Sequence, residues 1–385
     1  AKGALRIRNK SAIGRYMMIP NPPTPAWLTA ILRNAGMLPQ GEVTAVDAQK
    51  SGAFNSQTTF LRLHYSTDAS PNPPERVVLK RNISADWGIE AGAEEVKFYK
   101  LVASLPDHPP LLPPCYAAAY AEASGDSYLL LQDLSESHAP PETRDQQISF
   151  DDAALSPENR VHVIDMLARF HAYWWQHPLL ASGQLTRGYW SRNAERFRLY
   201  LERRQRSWDS LIAAESDWLP TDIRQLYEWV FTRLPYHWEH YLEPRFYTQT
   251  HLTIIHGDAY FANFLCPKLG KTGATYLLDW QSPTVDLAGY DLANLLATFW
   301  TPAQRHVEER EQRLLQRYYQ TLCATGVTGY SWEDLLTDYR SGLIFWLLMP
   351  VQDRFGGAGK DYWWPKMQCL VAAFRDWECA ALLDK

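Results

Sequence analysis

The chain has 385 residues, of which 46% are hydrophobic and 21% are charged, and its formal net charge is −5. This composition is typical of a globular protein with a full hydrophobic core and excludes an intrinsically disordered chain. The length suits two domains or lobes. The slight acidic excess argues against nucleic acid as a partner, and the longest apolar run, 343–351, is too short to cross a membrane.

Two features bear on where the protein resides. The N-terminal segment, 1–25, carries five Lys or Arg residues and no acidic one, but it lacks the apolar core of a signal peptide. We interpret it as a basic arm, which is either a targeting or docking segment or, as we favour, a solvated tail. The five cysteines are odd in number and form no CxxC pair, which indicates reduced thiols in a cytoplasmic protein rather than disulfides or a zinc site.

The region up to residue 134 is rich in strand patterns. Alternating or β-branched runs bounded by Gly, Pro and Asp predict strands over 43–46, 58–65, 77–80, 115–122 and 128–131. Apolar residues at helical spacing predict two helices, over 26–35 and 92–101. The last two strands are expected to form a hairpin, since Ser124-Gly125-Asp126 lies between them.

The region after residue 134 is mostly helical in pattern. A polar segment, 135–152, reads as a linker, and helices are predicted over 157–175, 191–216, 221–241, 302–325, 331–350 and 364–382. Thr301 and Gln304 form a capping-box pattern, and Ser331 is a good N-cap. A strand-rich half followed by a helical half predicts an α+β fold, with one lobe over 26–134 and another over 135–385.

The stretch 252–296 concentrates the polar groups that suit a chemical function. Two short apolar runs, 252–255 and 275–278, read as buried strands and lead into His256-Gly257-Asp258 and Asp279-Trp280-Gln281. If the two runs pair as a hairpin, Asp258, Asn263 and Asp279 converge at one end. A carboxylate that orients an attacking hydroxyl, with oxygen ligands for Mg²⁺, is what phosphoryl transfer requires. Each residue taken alone also fits an ordinary turn.

These motifs resemble those of a known superfamily. The pattern HGDxxxxN, followed by DWQ and then DLA, is similar to the aminoglycoside phosphotransferases and choline kinases, and DWQ looks most like the ecdysteroid-kinase-like branch and related bacterial phosphotransferases. The resemblance covers about 40–385. It implies a two-lobed protein-kinase-like fold, ATP and Mg²⁺ as cofactors, and a small-molecule alcohol as phosphoryl acceptor. HGD in place of HRD, without DFG or APE, argues against a protein kinase.

The resemblance implies roles for residues of the central stretch. Asp258 would orient or deprotonate the acceptor hydroxyl, and Asn263 and Asp279 would bind Mg²⁺. His256 would brace the loop from behind. Asp291 would anchor the catalytic segment, although a simple helix N-cap is an equally good interpretation.

The resemblance also implies a phosphate-binding lysine in the first lobe. Lys80 ends a β-branched strand, as does the kinase lysine that reaches the α- and β-phosphates. The family pattern E-x-x-F-Y occurs at 95–99, so Glu95 would pair with Lys80. Glu94 is the alternative, because helix register is uncertain by a residue in sequence-based interpretation.

Two further segments would bind the nucleotide. The loop 51–56, with Ser51 and Gly52, would cover the phosphates, although it has one Gly rather than GxGxxG and a plain hairpin turn explains it equally well. The segment around Gln132 and Leu134 corresponds to the lobe hinge, whose backbone would bind adenine. Gln132 stands where Glu is usual in the family, a change that backbone recognition tolerates.

The acceptor site and the alternatives complete the hypothesis. Aromatic side chains can surround a cationic head group or pack against an apolar alcohol. The candidates for the acceptor site are five aromatic residues and one carboxylate, namely Trp300, Trp346, Asp353, Tyr362, Trp363 and Trp364. His171 is interpreted as structural. The alternative functions are a metal-dependent phosphoesterase, which would leave Lys80 and Glu95 without a role, and an inactive nucleotide-binding pseudokinase.

Overall fold

The structure is a computed structural model that describes residues 20, 22–50, 57–105, 107–108, 111–185 and 193–384. The loop 51–56 and nearly all of the predicted basic arm therefore lie outside the described residues. The chain divides into two compact units, Ala1–Ala139 with Pro267–Ser282 and Pro140–Cys266 with Pro283–Lys385. The functional division into lobes at 26–134 and 135–385 stays a prediction.

The first unit is built on a five-stranded antiparallel sheet with the strand order β1-β2-β3-β5-β4. Its strands are β1 (Val43–Lys50), β2 (Gln57–Tyr65), β3 (Arg76–Arg81), β4 (Cys115–Ala121) and β5 (Asp126–Gln132). Two helices accompany the sheet, α1 (Pro25–Asn34) and α2 (Asp86–Ala103), with short strands β6 (His138–Ala139) and β9 (Tyr276–Leu277). All five predicted strands of this region and both helices are present.

Alternation along β3 divides its side chains between the hydrophobic core on one face of the sheet and the opposite face. Val77 and Leu79 are at most 1% exposed and belong to one cluster with Trp27, Leu28 and further side chains of α1. Successive side chains of a strand point to opposite faces. Lys80 therefore leaves the strand on the face away from this core.

The second unit is mainly helical. Its helices are α3 (Arg144–Ile148), α4 (Pro157–Trp174), α5 (Ala194–Glu215), α6 (Thr221–His237), α7 (Glu243–Thr248), α8 (Ala288–Ala297), α9 (Pro302–His306), α10 (Arg310–Ala324), α11 (Trp332–Trp346), α12 (Met349–Phe355) and α13 (Lys360–Asp376). Short strands are β7 (Thr253–Ile255), β8 (Phe264–Pro267) and β10 (Thr284–Asp286). Among the described residues, no helix is long and apolar enough to cross a membrane.

The predicted hairpin between 252–255 and 275–278 is wrong. Strand β7 pairs instead with β10, in an antiparallel two-stranded sheet that aligns Ile254 with Val285. Both of these side chains are fully buried. Burial on this scale favours the pairing that covers both apolar strands, and this preference is not visible in the local pattern of either run.

Two long predicted helices are each divided. The predicted helix 302–325 breaks between α9 and α10, where Glu308 and Glu309 have left-handed backbone angles. The predicted helix 331–350 ends at Trp346, and a new helix begins at Met349. Pro350 lies in its first turn, where the N–H that proline lacks is not needed by the helix. The capping box at Thr301 and the N-cap at Ser331 are confirmed.

Helix α8 carries Asp291, which binds the backbone of the loop 256–258. Sequence analysis does not predict it as a helix, yet all ten of its residues are buried. It lies against α11 through two glycines: a Cβ atom at Gly289 would lie 2.1 Å from the Asp338 carbonyl oxygen, and one at Gly342 would lie 2.4 Å from the Gly289 carbonyl oxygen. Only glycine permits this approach of the two backbones.

Candidate active site

Lys80 is held between two carboxylates in the first unit. Its Nζ atom lies 2.7 Å from Glu95 Oε1 and 2.6 Å from Asp279 Oδ1. Glu94 pairs instead with Lys97, at 2.6 Å. Burial by itself lowers the pKa of Lys80, but Glu95 and Asp279 together raise it above its ordinary value, so the side chain stays an ammonium. Glu95 is thus the partner of Lys80 in the structure.

The segment that carries Asp279 is fixed to helix α2 by its neighbour Trp280. The backbone N–H of Trp280 donates to Glu95 Oε1 at 3.1 Å. The buried indole stacks on Phe98 of the same helix, with ring centroids 4.4 Å apart. The Glu and Phe of the pattern E-x-x-F, Glu95 and Phe98, therefore both contact Trp280.

Asp279 itself has an uncommon backbone conformation. Its φ angle is +66°, in the left-handed region that non-glycine residues seldom occupy. Gln281, two residues on, donates a side-chain hydrogen bond to Asp279 Oδ1. Residues held in such conformations are concentrated at binding and catalytic sites. The Asp279 carboxylate is therefore oriented by Lys80 and Gln281 and by the turn in which it lies.

In the second unit, the loop 256–258 is held by Asp291 of helix α8. The fully buried Asp291 carboxylate accepts hydrogen bonds from the backbone N–H groups of His256, at 2.7 Å, and Gly257, at 2.9 Å. His171 Nε2 lies 3.2 Å from the same carboxylate, and His171 Nδ1 lies 2.7 Å from the Tyr318 hydroxyl. Asp291 is thus an anchor of the loop and not a helix N-cap, and His171 is structural.

His256 and Asn263 shape the rest of this loop. The His256 ring is fully buried, and its Nδ1 accepts a 3.2 Å hydrogen bond from the backbone N–H of Asp258. The Asn263 amide nitrogen donates to the Asp258 backbone carbonyl at 2.9 Å. Because the amide group binds the loop through its nitrogen, its oxygen is the atom left to accept a cation.

Two backbone hydrogen bonds fix the segment that follows β5. The N–H of Gln132 donates to the Pro114 carbonyl at 2.8 Å, and the N–H of Asp133 donates to the Arg76 carbonyl at 3.3 Å. The adenine contacts expected of Gln132 and Leu134 stay predictions. Leu134 is buried at 9% exposure, and Gln132 has an exposed side chain.

The structure places the other predicted site residues in different regions or does not describe them. Ser51 and Gly52 lie outside the described residues, so their phosphate contacts stay a prediction. Asp258 and Asn263 belong to the second unit and Asp279 to the first. Their convergence, and their catalytic and metal-binding roles, stay predictions as well. The aromatic acceptor candidates are mostly core side chains, with Trp300, Trp346 and Trp363 at most 5% exposed.

The donor atoms suit Mg²⁺ bound mainly through phosphate and water. Within the described ranges, no group of three or more His, Cys, Asp or Glu side chains could hold a metal ion. Mg²⁺ in phosphoryl-transfer enzymes is bound by one or two protein oxygens together with phosphates and water, rather than by a complete protein cage. The Asp279 carboxylate in the first unit and the Asn263 amide oxygen in the second are each, taken separately, oxygen donors of this type, and their binding of one ion stays a prediction.

Comparison with known families identifies the class of protein. The model of the phosphotransferase enzyme family matches residues 53–331, which is well over half of the chain. The chain belongs to this family. No curated protein sequence matches the chain.

Solved structures of the same fold are distant in sequence. An ethanolamine kinase of Plasmodium vivax is 12% identical, with a TM-score of 0.50, and the match covers 86% of this chain and 83% of that one. A choline kinase of Cryptosporidium parvum Iowa II is 10% identical, with a TM-score of 0.50 and coverage of 88% and 91%. These similarities show the protein-kinase-like α+β fold.

Proposed function

We propose that the protein is an ATP-dependent kinase that transfers the γ-phosphoryl group to a hydroxyl of a small-molecule alcohol. The observation that carries the proposal is the Lys80 ammonium, held by Glu95 at 2.7 Å on the face of the sheet opposite the α1 core. A buried lysine suits nucleotide phosphates, because its positive charge offsets their negative charge. Asp279, whose backbone conformation is uncommon, lies beside this lysine. A phosphoesterase mechanism leaves this ion pair without a purpose.

The nucleotide would be held by groups of the first unit. Lys80 would contact the α- and β-phosphates, and Glu95 would keep its side chain extended. The Gln132 carbonyl and the Leu134 N–H would bind the adenine edge, because the Gln132 N–H is already used by Pro114. The loop with Ser51 and Gly52 would cover the phosphates through its backbone N–H groups.

The chemical step would depend on the loop of the second unit. Asp258 would orient the acceptor hydroxyl and accept its proton as the oxygen attacks the γ-phosphorus. Asn263 and Asp279 are the residues that would hold Mg²⁺, which when bound neutralises charge on the phosphates. Because the loop backbone is held by Asp291, the Asp258 carboxylate would be preorganised for this task.

Thermal denaturation with and without ATP and Mg²⁺ tests the nucleotide site. A ligand that binds only the folded state stabilises it, by about 2.7 kcal/mol at a hundredfold excess over Kd. We expect a Mg²⁺-dependent rise in Tm that is lost in Asp279→Ala and retained in the exposed turn variant Asp68→Ala. Absence of a shift with any nucleotide, in the unsubstituted protein, would contradict the proposal.

A second measurement separates the kinase from the phosphoesterase. Transfer from ATP would be assayed across aminoglycosides, amino alcohols, sugars and sterols, and phosphate release would be assayed from phosphate esters without nucleotide. The kinase predicts phosphorylated acceptor only when ATP is present. Release of phosphate from esters in the absence of nucleotide would favour the esterase.

A further inference from the structure

A buried lysine that the proposed mechanism does not use lies next to the catalytic loop. Lys366, on helix α13, is 1% exposed. Its Nζ atom lies 2.8 Å from Asp353 Oδ2 and 3.2 Å from the Tyr260 hydroxyl. Lysine is seldom buried so completely, because removing an ammonium group from water is costly unless it is paired.

Four aromatic rings surround the same ammonium group. The distances from Nζ to the ring centroids are 5.8 Å for Tyr260, 5.7 Å for Phe299, 5.6 Å for Trp346 and 5.5 Å for Tyr362. All four distances lie within the roughly 6 Å range of cation–π attraction. We call these four rings, together with Asp353, the aromatic cage.

The rings of the aromatic cage also pack against one another. Tyr260 and Phe299 have centroids 5.5 Å apart, and Phe299 and Tyr362 have centroids 5.7 Å apart. Such contacts fix ring positions through the preference of aromatic pairs for tilted arrangements. The positions of these rings are therefore fixed by contacts with one another as well as by contacts with Lys366.

The aromatic cage shares a residue with the proposed catalytic loop. The Tyr260 N–H donates to the Asp258 carbonyl at 3.0 Å, and the Tyr260 carbonyl accepts from the Asn263 N–H at 2.9 Å. Its ring thus joins the cage while its backbone lies between two proposed functional residues. A cage of aromatic rings and one carboxylate is the arrangement that recognises organic ammonium ions.

Protonation of the occupant follows from its surroundings. Burial by itself lowers the pKa of Lys366, but Tyr260 and Asp353 raise it above its ordinary value. The group therefore remains an ammonium at neutral pH. The Lys366 ammonium already has two hydrogen-bond partners and four neighbouring rings. A second cation inside the cage would be repelled by it, because like charges repel strongly where water is excluded.

We propose that Lys366 is a built-in occupant of a cation-binding aromatic cage, and that its presence excludes acceptors whose ammonium group would have to enter that cage. The consequence for acceptor choice rests on the proposed kinase function: the acceptor would be an alcohol whose recognition places no ammonium group in the cage. Removal of the lysine side chain should convert the cage into a binding site for small alkylammonium ions.

Chemical rescue with n-propylammonium tests the cage directly. The substitution Lys366→Ala removes three carbons and the ammonium group, which are the atoms of n-propylammonium. We expect this ion to raise the Tm of Lys366→Ala by at least about 2 °C at a tenfold excess over Kd. It should have no such effect on the unsubstituted protein, and the neutral 1-propanol should not replace it.

Matched variants separate the cage from general effects of charge. Lys360 is exposed and its Nζ lies 3.3 Å from the Trp218 centroid, so Lys360→Ala removes a cation–π lysine outside the cage. This variant should show no amine response. In the Lys366→Ala background, Asp353→Asn or Tyr362→Leu should weaken the amine response by at least threefold in Kd. Equal responses of Lys366→Ala and Lys360→Ala, or a response unaffected by both added substitutions, would overturn the proposal.

The unsubstituted protein provides a test if Lys366→Ala does not fold. Tetramethylammonium and choline should leave its Tm unchanged, since the cage is filled. A choline-dependent rise in Tm that Tyr362→Leu abolishes would show an open cage and overturn the proposal. Every readout here is binding, without ATP, so failure of the cage is distinguishable from failure of the kinase assignment.

Discussion

Two buried carboxylates organise the two candidate functional regions, and their negative charge is compensated in different ways. Glu95 accepts from the Lys80 ammonium and from one backbone N–H, that of Trp280. Asp291 accepts from two backbone N–H groups of the loop 256–258 and contacts a buried histidine, His171. One carboxylate is therefore paired with a proposed functional side chain, whereas the other supports a functional loop from outside.

The two regions differ in whether the proposed functional side chain is also part of the structural support. In the first unit, the proposed phosphate-binding lysine is itself part of the ionic cluster, so substituting Lys80 also leaves Glu95 and Asp279 without their cation. In the second unit, the loop backbone is held by Asp291, so the Asp258 side chain can be exchanged while its support remains. We expect substitutions in the two regions to differ in how they couple activity and stability.

A third buried carboxyl shows what happens without compensation. Glu142 is 4% exposed, and its Oε1 atom has no hydrogen-bond partner in the part of the chain that the structure describes. Burial, with smaller contributions from Asp151 and Asp152, raises the pKa of Glu142 to about 7. Buried acids without a cation or amide donors are thus expected to be protonated near neutrality.

The largest effect is expected from Asp258→Ala. Removal of a general base costs on the order of 10²–10⁴-fold in rate, and the loop keeps its anchor. Phosphoryl transfer should be abolished within assay limits, while the Mg²⁺-ATP shift in Tm is retained. Single-turnover transfer kinetics and thermal denaturation measure the two properties. Full turnover by this variant would refute the assignment of Asp258.

Substitution of the anchor should instead reduce stability and activity together. In Asp291→Asn, an amide NH₂ group faces one of the two loop N–H groups, and leaving that N–H group unpaired costs roughly 1–3 kcal/mol of unfolding free energy. Urea denaturation would measure this loss. The exposed helix-start variant Asp145→Asn is the control and should be unaffected. If Asp291→Asn lost activity at unchanged stability, the anchor role would be wrong.

Glu142→Gln should change the pH dependence of stability. The folded pKa of about 7 lies above the ordinary 4.5, so the folded state binds more protons than the unfolded state between these values. The contribution of Glu142 protonation to the free energy of unfolding is complete below pH 4.5 and is lost as the pH rises through about 7. At pH 8 the Gln variant should therefore be more stable than the unsubstituted protein by about 3 kcal/mol. Urea denaturation between pH 5 and 8 would show a flatter profile for Glu142→Gln, and an unchanged profile for the exposed control Glu158→Gln.

The smallest effect is expected for substitutions of Glu95 and Glu94, measured as a change in Mg²⁺-ATP affinity. Glu95→Gln removes the negative charge that orients Lys80 and should weaken Mg²⁺-ATP binding about tenfold, or about 1.4 kcal/mol. Glu94→Gln removes an exposed partner of Lys97 and should leave the affinity unchanged. Calorimetric titration would measure both. Equal losses in the two variants would remove the distinction that the structure makes between them.

Much of the local structure is readable from sequence because it depends on neighbouring residues. The β-branched strand that ends near Lys80, the capping box at Thr301 and the N-cap at Ser331 are all short-range properties. The family resemblance is readable for the same reason, since its motifs are short and local. The broken helices show the limit, because helical periodicity continues across the turn at Glu308 without revealing it.

Lys366 illustrates a signal that sequence analysis missed. It lies between Trp363 and Met367 on the buried stripe of α13, so helical spacing alone places a lysine among core residues. That pattern predicts a buried cation but not its partners. The carboxylate and three of the four rings come from other segments of the chain.

The sequence by itself determined the fold class, the family and the residue types available for chemistry, because these follow from periodicity, turn residues and short motifs. Only the tertiary structure decided that β7 pairs with β10, that Glu95 rather than Glu94 meets Lys80, and that Asp291 holds the loop from outside. Each of these depends on packing between segments distant in the chain. Hydrophobic burial and the pairing of buried charges select among partners that local patterns leave equivalent.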